Sequence, residues 1–297
     1  EIHEAILHKT GWAHYKLDDF SKAQETFQAQ VNDYAEGPFA GDGRFMLAEC
    51  HFKQGKWEEA LGLYKPLVDT KLSAAQFTEL VLLHGGQSAR QLKQFDESLA
   101  LVNLMIENHK DSIYLPQVQL TAGRAHYGKK EYDKADELFE VVATGSRNAT
   151  GAEARFHMGA VRFVQKKHAD AVRQYQRVMF GFGAENAIPE VKKFQHLSAT
   201  EAAICSEVLA GGAKTAADKK KSLDDAKKFY QYIVDQHPES GSAANAKKRL
   251  AEFASVTVSE TMRIFGSASI RKCSCPAPYR ALALEPSSRS GWGLACI

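Results

Sequence analysis

Eleven histidines, five cysteines and one lysine run are the side chains of this sequence that could do chemistry. A zinc site needs several Cys, His or carboxylate side chains converging on one point. His14, His51 and His126 lie in three separate helical segments and read as packing residues. Cys273-Ser274-Cys275 is not followed by a second Cys or His pair at finger spacing. Cys50 and Cys205 fall within helical patterns, where a free Cys is a small buried hydrophobe. No G-x-x-x-x-G-K-[ST], G-x-S-x-G or H-E-x-x-H occurs. Gly181-Phe182-Gly183 lacks the strand and third glycine of a nucleotide loop and reads as a turn after a helix. Lys219-Lys220-Lys221 reads as a solvated insertion, with docking of an acidic partner as the alternative. The sequence therefore predicts no catalytic residue, no metal and no cofactor, and a protein that is not an enzyme.

Charge and hydropathy narrow the partners. Lys+Arg total 38 against 36 Asp+Glu, a net charge of +2 that builds no broad positive field for nucleic acid or an anionic membrane. No stretch of 18 apolar residues occurs, so no membrane span is expected. Glu1 opens in what reads as the middle of a helix, which predicts a fragment or a processed chain.

The elements that hold these residues follow from an internal repeat. Gly11, Tyr15, Phe20, Ala23 and Phe27 align residue for residue with Ala48, Phe52, Trp57, Ala60 and Tyr64. The frame continues through Gly86, Phe95, Ser98 and Val102, then Gly123, Tyr127, Tyr132, Ala135 and Phe139, then Gly159, Phe163, His168, Ala171 and Tyr175. The anchors Ala23, Ala60, Ser98, Ala135 and Ala171 recur every 36 to 38 residues, and Ala226, Tyr230 and Ile233 form a looser last copy. Two helices touch closely only where side chains are small. Small residues on both helices are thus expected at each crossing, with aromatics filling the space between successive pairs. A single pair cannot bury its apolar face, whereas stacked pairs can.

In this frame the sequence resembles the tetratricopeptide repeat family, whose G-x-x-Y, aromatic, A-x-x-x-F framework it matches with substitutions in five consecutive units. The resemblance implies an all-α fold, a right-handed superhelical solenoid of five to six helix-turn-helix repeats. Three turns are similar to those of the family's bacterial cell-envelope branch, the Tol-Pal accessory and outer-membrane assembly lipoprotein type. They start at Tyr34, His109 and His237-Pro238. The branch implies a periplasmic or envelope location. The family's inner groove is lined by first-helix residues three before and one, four and five after the small position. That implies a partner-binding set of Trp12, Tyr15, Lys16, Phe45, Phe52, Lys53, Arg90, Arg124, Tyr127, Phe156 and Phe163, flanked by His8, Glu49, Leu83, Gln87 and Leu120. Interleaved aromatic and basic side chains suit a protein or peptide ligand with apolar and acidic anchors.

The coarse helix pairs are 1–17/20–34, 40–54/57–70, 74–92/95–109, 113–129/132–144 and 149–167/169–180. Pro66 predicts a kink eased by Gly62. A sixth pair, 186–210 and 223–236, is broken by Gly211-Gly212 and the stretch from Lys214 to Lys221. Residues 241–253 read as a capping helix with Ser242 at its N-cap. The expected organisation is a repeat domain over 1–253 and an irregular, disordered or loosely docked tail over 254–297. The expected function is a non-catalytic interaction scaffold or adaptor in a bacterial cell-envelope or other multiprotein complex. The alternative is the repeat part of a larger enzyme or regulator whose catalytic part lies outside this chain.

Overall fold

The computed structural model describes residues 2–263, with side chains as far as Ser255. Among these residues there are thirteen α-helices, two short 3-10 turns and no strand, the all-α repeat class read from the sequence. Contacts divide them into two compact units that meet in sequence at Leu92 and Lys93.

The first unit holds α1 (Ile2–Lys16), α2 (Phe20–Asp33), α3 (Ala40–Lys53), α4 (Trp57–Tyr64) and α5 (Ala75–Gln91). Each helix packs on the next, and α3 also touches α1 and α5, so first helices of successive pairs meet. The second unit holds α6 (Phe95–Asn108), α7 (Leu115–Gly128), α8 (Tyr132–Gly145), α9 (Ala149–Val164), α10 (His168–Gly181), α11 (Pro189–Gly211), α12 (Ala216–Gln236) and α13 (Ala243–Arg263). Here too each helix packs on its successor, and α9 touches α7 and α11.

The repeat is written into the backbone of the turns. Asp18, Gly55, Lys93, Lys130 and Lys166 all adopt positive φ, between 58° and 73°, at the same place in five copies. In four of them the following N–H reaches back to the helix: Asp19 to His14, Lys56 to His51, Glu131 to His126 and Lys167 to Arg162, each within 3.0 Å. This is the Schellman closure of a helix end. The next residue then opens the second helix, with nearly identical angles at Asp19, Lys56, Gln94, Glu131 and Lys167. Of these five only Asp19 caps with its side chain, accepting from the Lys22 N–H at 3.2 Å.

The tight crossings differ from the sequence expectation. A Cβ on Gly11, Gly123 or Gly159 would stand 2.7, 2.6 and 2.4 Å from the rings of Phe27, Phe139 and Tyr175. The small position of the first helix therefore faces the aromatic of its own pair's second helix. Ala23, Ala135 and Ala171 are fully buried as well, so small residues on both helices are needed to let the ring in.

Three further expectations are revised. The α-helix before Pro66 stops at Tyr64 and passes into a 3-10 turn, Lys65–Leu67, instead of kinking, because proline removes the donor the next turn needs. The basic stretch is no insertion but the opening of α12. Thr215 accepts from the Asp218 N–H at 3.0 Å and donates to its carboxylate, a reciprocal cap that starts the helix at Ala216. Helix α13 runs to Arg263, past the end expected at Phe253, and the Ser242 hydroxyl before it meets His196 Nδ1 at 3.0 Å. The remainder of the expected tail, 264–297, lies outside the described residues.

Candidate partner-binding surface

In the first unit the first helices bring together much of the set implied by the repeat frame. Trp12 is half-buried on α1. Its Nε1 donates to His8 Nε2 at 3.1 Å, which leaves His8 Nδ1 to donate to Gln30 Oε1 at 3.2 Å. The Trp12 ring lies nearly parallel to that of Phe77 on α5, with centroids 6.2 Å apart, and the Lys16 ammonium stands 5.6 Å from the indole. Phe77 in turn stacks on Phe45 at 4.6 Å. Phe52 stacks on His84 at 4.3 Å and meets Trp57 edge-on at 5.4 Å.

Beneath these rings lies a carboxylate. Glu49 on α3 is buried and accepts from the hydroxyls of Tyr64 at 2.6 Å and Tyr15 at 3.3 Å, while His84 Nδ1 stands 2.6 Å away. Burial alone would push the Glu49 carboxyl up. The His84 contact, the Tyr64 hydroxyl and the nearby Lys53 ammonium outweigh it and hold the group below the usual carboxylate range. The same charge, after burial, raises the hydroxyl pKa values of Tyr15 and Tyr64 far above the ordinary tyrosine value. Cys50 beside it is a free, buried thiol pushed up to about 12. Two members of the expected set therefore belong to the interior of this unit. Tyr15 donates to Glu49, and Phe45 is wholly buried under Phe77. Phe77 itself was missed by sequence reasoning, because it lies near the start of α5, outside the slots counted from Gly86. Arg90 is half-buried on α5.

The second unit arranges its share differently. Arg124 on α7 donates to Glu153 on α9 at 2.7 Å, so its charge is already answered within the fold. Tyr127 meets Tyr132 edge-on at 5.6 Å, and its hydroxyl is pushed up to about 12, first by burial and then by Tyr132 and Glu201. Phe163 meets His168 at 5.0 Å. Phe156 is a core residue, 5% exposed, between Tyr175 and Phe194. It packs inward because the neighbouring first helix, α11, closes over it. Burial pushes the Glu201 carboxyl on α11 up to about 7, and no hydrogen bond or ion pair holds it among the described residues. Nor do three His, Cys, Asp or Glu side chains converge for a metal there, and no described helix is long and apolar enough to cross a membrane.

The repeat geometry of the first unit agrees with its sequence relationship. Residues 8–71 match the family model of the tetratricopeptide repeat. That stretch is tetratricopeptide repeat. No curated protein matches the chain. Among solved structures, pilF of Pseudomonas aeruginosa is similar at a TM-score of 0.55 and 15% identity, over 84% of this chain and 97% of that one. MamA of Desulfovibrio magneticus is similar at 0.51 and 10%, over 59% and 93%. A Rap protein solved with competence and sporulation factor is similar at 0.50 and 14%, over 86% and 76%. At such identities these likenesses show the fold, and tetratricopeptide folds are in general non-catalytic scaffolds that bind protein or peptide partners.

Proposed function

We propose that this chain is a non-catalytic scaffold that captures an extended protein segment on the first helices of its repeats. The observation that carries the reading is the half-buried platform of Trp12 and Phe77 with the Lys16 ammonium above the indole. Aromatic rings held in place by their neighbours lose little freedom on binding, and a cation beside them favours a segment that pairs an apolar anchor with an acidic residue. Lys53 adds a second cation on the same set of helices. In the second unit Tyr127 and Phe163 are the half-buried candidates, while Arg124 serves first as the partner of Glu153. The Rap protein solved with its factor supports the idea that a chain of this fold can hold a second molecule.

The reading extends to a bacterial envelope complex. It is supported by the three turns singled out in the sequence, which share one backbone geometry. Tyr34, His109 and His237 all sit near φ −130° and ψ 50°, and each accepts from an N–H three residues on: Gly37, Ser112 and Ser240. Fractionation of the source cells tests this part, and recovery of the protein in the cytoplasm overturns it.

Binding is tested by selecting random peptides on the immobilised full chain. Enriched peptides should carry an apolar residue next to acidic ones, and both Trp12→Ala and Phe77→Ala should lose them. Equal recovery on wild type and both variants, with unchanged helicity, refutes the first-helix surface.

A further inference from the structure

A second surface, sharing no residue with the first-helix platform, is built around arginine. The end of α10 and the turn between α8 and α9 enclose an open cavity of about 590 Å³. Arg147, Arg155, Arg173 and Arg177 line it with Gln176 and Phe180, and no acidic residue does. Lysine is the commoner cation in this sequence, yet none lines the cavity. Guanidinium differs from ammonium in presenting a rigid fork of donors that matches the oxygens of an oxyanion.

The four cations are not equally engaged. Arg173 is paired with Asp170 on its own helix. Arg155 is held by Gln174 Oε1 at 3.0 Å and by the Ala143 carbonyl at 3.3 Å, neutral acceptors that fix its plane without forming an ion pair. Arg147 and Arg177 are exposed and, among the described residues, have neither a hydrogen bond nor an ion pair. These three repel one another. Burial lowers the Arg155 pKa, and Arg177 and Arg147 lower it further against the opposing pull of Glu140. A like-charge cluster of this kind is relieved by a bound anion. At the rim, Phe180 is 58% exposed, with its ring against Tyr232 at 5.6 Å.

From this geometry we infer that the cavity lined by Arg147, Arg155 and Arg177 is a binding site for a phosphoryl group. Three guanidiniums without a carboxylate partner match the three terminal oxygens of that group, whereas one carboxylate offers only two. Two sources share this chemistry, free phosphate and a phosphorylated side chain on a peptide. Exposed Phe180 gives the second an apolar contact beside the charge.

The full chain is titrated calorimetrically at pH 8 and fixed ionic strength with three probes. These are inorganic phosphate, a short phosphoserine peptide, and the same peptide with Glu at the phosphoserine position. Phosphate and phosphopeptide should bind, and Arg147→Gln combined with Arg177→Gln should weaken both at least tenfold. Arg177→Lys keeps the charge but not the fork and should weaken them several-fold. If the phosphopeptide binds tenfold more tightly than phosphate and Phe180→Ala removes that advantage, the group arrives on a peptide. If the two bind alike, it arrives free. A Glu peptide that binds as well as the phosphopeptide, or a double variant that binds phosphate like wild type, overturns the inference. Trp12→Ala should leave phosphate binding unchanged, so failure of the first-helix platform and failure of this site are distinguishable.

Discussion

Two glutamates, one in each unit, meet burial in opposite ways. Glu49 sits on α3 among two tyrosine hydroxyls and a histidine, and it remains a carboxylate although it is almost wholly enclosed. Glu201 sits on α11 with no hydrogen bond or ion pair among the described residues, and burial raises its pKa to about 7. Both are carried by helices of the same repeating kind. Burial acts in the same direction on each. What differs is the number of donors brought to the charge, and that number decides whether the acid ties helices together or strains them. In the first unit a charge joins three helices, α1, α4 and α5, to α3. In the second, the corresponding work is done by apolar clusters such as Ala135, Phe139, Val142 and Met158, while ion pairs such as Arg124 with Glu153 and Arg162 with Asp136 lie nearer the solvent.

The largest effect should come from removing the charge that joins helices. Glu49→Gln removes the charge and turns one of its two acceptor oxygens into an amide donor, so Tyr15, Tyr64 and His84 are left to share one neutral acceptor, and loss of one partner in a buried charged network costs about 3–5 kcal/mol. Thermal unfolding should show a large drop in Tm for this variant. A shift within error would mean that the tyrosine hydroxyls find water or one another, and the contrast between the units would collapse.

The next effect is the pH dependence, where the two acids carry opposite signs. Glu49 has a lowered folded pKa, so its contribution is complete above the unfolded value of about 4.3 and is lost as pH falls through the folded one. Glu201 has a raised one. Its neutral form fits the fold, so stability is highest below about 4.3 and falls as pH rises toward 7, by up to about 3 kcal/mol. Glu201→Gln should therefore match wild type near pH 4 and exceed it at pH 8, measured by chemical denaturation at both. If the gap between them does not widen with pH, the Glu201 carboxyl has a partner or water that the fold does not reveal.

How much of this was legible in the sequence follows from what each residue's neighbours demand. The repeat frame was readable because Gly11, Gly123 and Gly159 admit a ring and nothing larger fits between the helices, so the spacing of small residues records the crossing. The candidate surface was legible only in part. Counting from the small position finds Trp12 and Lys16, but it treats every aromatic in a slot alike. Whether Phe45 faces outward depends on Phe77, two helices away, which the count does not reach. Glu49 was placed on the surface, yet its burial is decided by Tyr15, Tyr64 and His84 from three other helices. The start of α12 was hidden because its lysines are all solvated, and the signal that mattered was the Thr215 and Asp218 cap.

A third test asks whether the apolar clusters of the second unit are as tightly specified as the charged node of the first. Ala135 is fully buried where α8 crosses α7, in a cluster with Leu120 and Phe139. Ala135→Leu should overpack it and cost about 1–3 kcal/mol. An unchanged melting temperature would show that this crossing has slack, and that the second unit is held less strictly than the first.

The smallest expected effect bears on the turns, where the two units use different residues for one backbone shape. Gly55 in the first unit and Lys130 in the second both stand at positive φ, 73° and 64°, between the first and second helices of their pairs. The local hydrogen bonds are the same: Lys56 N–H to the His51 carbonyl at 3.0 Å and Glu131 N–H to the His126 carbonyl at 2.9 Å. Glycine enters this region without a steric penalty, whereas a side chain's Cβ crowds the following carbonyl at a cost of about 1–2 kcal/mol. Part of that gain is returned, because glycine also makes the unfolded chain more flexible. Lys130→Gly should therefore stabilise the fold by less than about 1 kcal/mol, and Gly55→Lys should destabilise it by a similar amount. Lys130 is exposed, and among the described residues its side chain makes no hydrogen bond or ion pair that would mask the backbone term. Equal and opposite shifts in denaturation midpoint, with unchanged slope, would establish that the two turns are energetically one motif despite their different residues. Two shifts of the same sign would mean that the surroundings of each turn, and not its dihedral angle, set its energy.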